Sequence, residues 1–130
     1  MKRHISLISL LVDDYDEAIA FYVHKLGFVL LEDTVLSETK RWVRIAPSGA
    51  AECCLLLAKA STEEQRACIG HQTGGRVFLF LNTDDFWRDY QNLVANGVQI
   101  IRQPSEENYG TVAVFADLYG NLWDLIETKN

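Results

Sequence analysis

The chain has no run of lysine or arginine, no Cys-x-x-Cys pair and no apolar stretch long enough to cross a membrane. Each absence removes a class of function. Twelve basic residues against eighteen acidic ones leave a net charge of −6, whereas a surface that holds phosphate backbones must be basic. Nucleic acid is therefore not expected as a partner. The opening MKRHISLISLLV imitates a secretion signal, but its apolar run stops at Asp13-Asp14 and no small-residue cleavage site follows. A strand is the better reading, and with no segment approaching the ~20 apolar residues of a span, no membrane association is expected. Cys53 and Cys54 are adjacent on a probable strand, so they point to opposite faces and cannot readily pair. Together with Cys68 they read as free thiols, which suits a reducing cytoplasm. His4, His24 and His71 lack the spacing of zinc ligands.

What is present says the same thing twice. The 130 residues suffice for a single domain with a true core. After the first strand, VDDYDEAIAFYVHKLGFVLL places Tyr15, Ala18, Ile19, Tyr22 and Leu26 on one helical face. Asp14 is positioned to cap this helix, with Glu17 three residues on, and Gly27 permits a left-handed exit. FVLLEDT, RWVRIA and ECCLLLA then read as three strands. Seventy-one residues downstream the order recurs: RVFLFL, the capped helix of TDDFWRDYQNLVANGVQII, and the strands ending in GTVAVFAD and NLWDLIE. Phe86 takes the place of Tyr15, Tyr90 that of Ile19, and Leu93 that of Tyr22. A short helix over 62–68 and a glycine hinge join the copies. The expected fold is α+β: two βαβββ modules, at 1–59 and 76–130 with a 60–75 linker, whose curved mixed sheets surround a cavity within one domain.

VDDYDEAIAFYVHKLGF and the closing DLYGNLWDLIE resemble the opening and closing signatures of the vicinal oxygen chelate superfamily. That superfamily holds glyoxalase I, extradiol dioxygenases, and fosfomycin- and bleomycin-resistance proteins. The likeness runs through both modules and implies the glyoxalase-like fold, but says little about reaction, because the fold hosts many functions. Enzymes of the family hold a divalent metal through side chains on the first and last strands of each module. Those positions fall at Leu7, at or near Cys54, at Phe78 and at Asp124. Leucine and phenylalanine cannot coordinate a metal, and one carboxylate with one thiol makes too small a donor set. No cofactor is therefore expected; a divalent metal on non-standard ligands, serving a lyase, isomerase or dioxygenase, is the alternative.

Asp124 needs an account. Period two sets Leu122, Asp124 and Ile126 on one face of the last strand and Trp123 with Leu125 on the other. The bulky pair suits the helix side, leaving Asp124 on the ligand side, where an unpartnered carboxylate is costly. Candidate partners are Arg44, which shares a face with Trp42, and Arg76, which opens the fifth strand on the face of Phe78. With Phe80 and with Tyr109 in the SEENYG loop, they would make a polar handle in an aromatic pocket for a small aromatic or anionic ligand. An internal Asp–Arg ion pair with no ligand explains the same residues. Cys54 and His71 are weaker candidates, as a nucleophile and a base. Open sheet edges add the expectation of a homodimer.

Overall fold

The structure is a computed structural model that describes residues 1–49 and 53–129; Glu52, the expected start of the fourth strand, lies outside the described residues. The chain divides into two compact units, Met1–Ile69 and Gly70–Asn130. The division falls inside the 60–75 linker.

In the first unit β1 (Leu7–Val12) leads to α1 (Tyr15–Ala20), a π-helical turn (Phe21–Lys25), β2 (Val29–Val35), β3 (Arg41–Ala46), β4 (Cys54–Lys59) and α2 (Glu63–Cys68). Asp14 caps α1: its backbone is extended and its Oδ2 accepts the Glu17 N–H at 2.9 Å. The helix then widens by one residue, with the Leu26 N–H donating to the Phe21 carbonyl at 3.3 Å. That extra residue turns the face. Phe21 and Tyr22 both enter the core, their rings edge to face at 5.4 Å, while Leu26, expected on the buried stripe, is only half-buried. Gly27, at φ +74°, supplies the left-handed exit.

The sheet runs β1-β4-β3-β2, with β1 parallel to β4 and the other pairs antiparallel. α1 packs on β3 and β4. Beneath it Leu10, Val12, Val43, Ile45, Leu55 and Leu57 are buried, and each fully buried aliphatic side chain contributes about 2 kcal/mol over exposure.

The second unit repeats this order: β5 (Leu79–Asn82), α3 (Phe86–Ala95), β6 (Gln99–Glu107), β7 (Gly110–Ala116) and β8 (Leu122–Thr128), arranged β5-β8-β7-β6. The parallel pair is again the first and last strand. Asp85 caps α3 by accepting the Arg88 N–H at 3.1 Å, and Glu127 reaches from β8 to accept the Phe86 N–H at 2.7 Å. α3 covers one face of its sheet with Phe86 and Leu93, over Phe115, Trp123 and Leu125. The fold is thus α+β, two βαβββ modules each built on a four-stranded mixed sheet. No helix among the described residues is long and apolar enough to cross a membrane.

Two sequence expectations fail here. β5 begins at Leu79, not at Arg76: the Thr73 hydroxyl donates to the Arg76 carbonyl at 2.6 Å and holds that residue in the preceding turn. SEENYG is not a loop. Ser105, Glu106 and Glu107 extend β6 in register with β7, so Tyr109 sits at the tip of a tight hairpin.

The β7–β8 connection is built around a buried carboxylate. Asp117 Oδ1 accepts the N–H groups of Tyr119 and Asn121, each at 2.9 Å, and its Oδ2 accepts the Asn121 amide at 2.8 Å. These bonds fold the chain back so that β8 meets β7 in register. Asp117→Ala strands three donors in a buried turn and is expected to destabilise the protein by about 3 kcal/mol. Urea denaturation should show the midpoint falling at unchanged slope.

Candidate functional site

With a helix on one face of each sheet, the other face is where polar side chains can meet a ligand. Cross-strand pairing identifies it. In the first unit one row crosses the sheet as Ser9, Leu56, Arg44 and Glu32. In the second the matching row is Phe80, Asp124, Val114 and Arg102. Trp42 lies two residues from Arg44 on the same face of β3, as its alternation with buried Val43 and Ile45 requires.

Glu32 and Arg102 reach these rows through β-bulges. β2 pairs Leu30 with Ile45 but Glu32 with Arg44, skipping Leu31. β6 pairs Ile100 with Phe115 but Arg102 with Val114, skipping Ile101. Each skipped residue reverses the parity of its strand, so a charge that simple alternation assigns to the helix side emerges on the opposite face. The two bulges sit at matching places in the two units.

The charges are arranged differently. In the first unit they touch: Arg44 Nε donates to Glu32 Oε1 at 3.0 Å, and this bond raises the guanidinium's pKa further above its already high value. Arg44 Nη1 also lies 4.0 Å from the sulfur of buried Cys54. In the second unit they are held apart by Val114. Asp124 Oδ1 is shut off from solvent and makes no hydrogen bond. Burial pushes the Asp124 carboxyl pKa up, and the positive charge of Arg102 opposes that only in part.

The expected partners of Asp124 are therefore corrected. Arg44 is engaged by Glu32, and Arg76 is an exposed turn residue outside β5; the guanidinium whose charge acts on Asp124 is that of Arg102. Phe78 is corrected as well. It precedes β5, so strand alternation does not govern it, and its ring packs edge-on against the helix-side Trp123 at 6.3 Å. Phe80 is the aromatic residue beside Asp124, and it is 67% exposed. Tyr109 is exposed at its hairpin tip, where its carbonyl accepts the Lys129 N–H at 2.9 Å. His71 is an exposed loop residue.

The same registers test the donor set of a divalent metal. Leu7 pairs with Cys54, and Phe78 donates its N–H to Leu122. Two residues on, Ser9 pairs with Leu56 and Phe80 with Asp124. The counterpart of Asp124 in the first unit is thus Leu56, not Cys54. Leu7, Leu56 and Phe78 offer no donor atom, and no group of three or more His, Cys, Asp or Glu side chains among the described residues is placed to hold an ion. These residues do not fit a divalent cation.

A separate cavity of about 300 Å³ lies in the first unit between the β2–β3 hairpin and the start of α1, with Tyr15, Lys40 and Lys59 on its walls. It includes none of Trp42, Arg44 or Cys54. Its arginine, Arg41, is committed: it pairs with Asp33 at 2.7 Å and Asp16 at 2.9 Å and lies over the Tyr15 ring at 5.1 Å. The Arg41 hydrogen bond holds the Asp33 carboxyl below its usual range.

The raised carboxyl of Asp124 binds its proton more tightly in the folded chain than in the unfolded one. The folded state therefore loses stability as pH rises from about 4, the unfolded value, through the folded pKa, and is penalised above it. Asp124→Asn removes the charge and should stabilise the protein at pH 7. Thermal melts should show that gain shrinking to nothing below about pH 4.

A family model for the glyoxalase/bleomycin resistance protein/dioxygenase superfamily matches residues 4–125. An uncharacterized protein of Shewanella frigidimarina is 60% identical over 131 aligned positions, which span 100% of this chain and 97% of that protein. Among solved structures, UcmS2 superposes with a TM-score of 0.84 at 30% identity, covering 97% of this chain and 98% of its own. TnmS3, an antibiotic binding protein from Streptomyces sp. CB03234, superposes with a TM-score of 0.80 at 31% identity, covering 98% of each. The repeated strand order, the matched bulges and these similarities agree: the chain belongs to the glyoxalase/bleomycin resistance protein/dioxygenase superfamily.

Proposed function

We propose that this protein binds a small, partly aromatic or anionic molecule on the helix-free faces of its sheets, without the family's divalent metal. The observation that carries this reading is the exchange of metal donors for apolar residues at Leu7, Leu56 and Phe78, on faces that still display Arg44, Trp42, Asp124, Arg102 and Phe80. Such faces suit holding a molecule better than activating one. The antibiotic-binding TnmS3, similar along its whole length, lends the reading support. Sequestration of a compound fits it better than turnover. The homodimer expected from open sheet edges belongs to the same proposal, since edge strand β2 exposes Leu31 and Val35 and edge strand β6 exposes Ile101.

Two measurements test the binding reading. Elemental analysis of the purified protein should find no stoichiometric nickel, zinc, iron or manganese; one such ion per chain would restore the metal-dependent lyase, isomerase or dioxygenase reading. A thermal-shift screen of aromatic and anionic compounds should yield binders that raise the melting temperature by several degrees, since ligand at a hundred times its Kd adds about 2.7 kcal/mol. A screen with no binder would defeat the proposal. Sedimentation should give about twice the chain mass, and a monomer at micromolar concentration would remove the dimer.

A further inference from the structure

On its helix side the first sheet ends in charge. The inner row there is apolar, with Leu10, Leu57 and Val43 all buried. Two residues further along, Lys59 pairs with Val12, and the β3–β4 register continued from Val43 and Leu57 sets it opposite Arg41. Arg41 is neutralised by Asp33 and Asp16. Lys59 is not, nor is Lys40 beside it in the chain to Arg41: among the described residues neither ammonium group has a hydrogen bond or an ion pair. Both lysines wall the cavity of about 300 Å³ at the β2–β3 hairpin. Tyr15 shares that wall and is only 7% exposed. Its hydroxyl accepts the Arg41 N–H at 3.2 Å, while the hydroxyl's own proton has no acceptor among the described residues.

The second unit treats the same place differently. Leu125 pairs with Leu81 as Leu57 pairs with Leu10, so the position two residues on is Glu127 where the first unit has Lys59. The Glu127 carboxylate crosses to α3 and accepts the Phe86 N–H at 2.7 Å, and Phe86 stands where the first unit has Tyr15. One unit thus closes the space between last strand and helix with its own carboxylate. The other has a cation at that position, a hydroxyl on the neighbouring ring, and a cavity. Two carboxylates do line it, but Asp14 Oδ2 accepts the Glu17 N–H, and Glu38 sits at the exposed hairpin tip and pairs with neither lysine.

We infer that this cavity is a second binding site, for a small molecule that carries a carboxylate. The carboxylate meets the Lys59 and Lys40 ammonium groups and the Tyr15 hydroxyl, in the place that Glu127 fills in the second unit. Charge-assisted hydrogen bonds supply the affinity. The volume stands at the lower end of ligand pockets, which suits a compound of few atoms. Asp14 and Glu38 in the same lining repel a second negative charge, so a carboxylate is favoured over a phosphate ester. The site lies on the opposite side of the sheet from the helix-free face and does not depend on the binding proposed there.

Amide NMR of the whole chain tests it, with isobutyrate, its uncharged amide isobutyramide, and isopropyl phosphate as probes. Isobutyrate should shift the signals of Ser37, Lys40, Arg41 and Lys59 to saturation, isobutyramide should leave them in place, and isopropyl phosphate should bind no more tightly. Lys59→Met and Tyr15→Phe should each weaken isobutyrate at least about threefold. Lys59→Glu, which copies the second unit, should abolish binding. Unmoved signals of Phe115 and Trp123 report an intact fold in each variant, and if Tyr15→Phe does not fold, the two changes at the exposed Lys59 decide. No saturable shift at these amides, an equal response to isobutyramide, tighter binding of isopropyl phosphate, or isobutyrate binding indifferent to both Lys59 variants overturns the inference. Shifts confined to Phe80 and its neighbours overturn it too, while favouring the helix-free faces.

Discussion

Each sheet in this protein has four strands and a helix packed on one of its faces, and that imbalance governs the rest. A strand offers alternate side chains to two faces. One face must be apolar to pack under the helix, as Val43, Ile45, Leu55 and Leu57 do in the first unit and Phe115, Trp123 and Leu125 in the second. The other face is released from that demand. It can hold arginine, glutamate, aspartate and tryptophan without loss of core, so chemistry accumulates there while the helix side conserves volume.

The bulges decide which charges reach that face. Without them β2 and β6 would direct Glu32 and Arg102 toward the helix, where a charge is expensive. Skipping Leu31 and Ile101 instead brings each charge level with the middle strands. One fold operation, made twice, has opposite electrostatic results. Glu32 meets Arg44 and the first sheet neutralises itself, whereas Arg102 meets Val114 and the second sheet keeps a separated acid and base. Duplicated modules can diverge in this way by few substitutions, since the backbone places the positions and the side chains decide what they do.

The family's metal chemistry appears here as a set of positions from which donor atoms have gone. Asp124 is the exception, a carboxylate among apolar residues. Burial raises its pKa, and the charge of Arg102 opposes that only in part. Membership in a superfamily therefore says where a ligand would lie and leaves open what happens to it.

The α+β class, the duplicated strand order, the Asp14 cap and the helix side of β3 and β8 were legible in the residues, because each is set by local periodicity or by a side chain reaching its own backbone. That Trp123 and Asp124 lie on opposite faces of β8 follows from period two alone. The partner of Asp124 was not legible. Arg44 and Arg76 satisfied every local rule, yet one is engaged by Glu32 and the other lies in a turn held by Thr73. Nor could Leu56 be told from Cys54 as the counterpart of Asp124, since both point the same way and only pairing with β1 separates them. Sequence alone determined which residues could share a face, because that depends on neighbours along the chain. Register, bulges and charge pairing were decided by tertiary structure, because they depend on which strand lies alongside, and a single skipped residue reverses a face without leaving a mark in the pattern that precedes it.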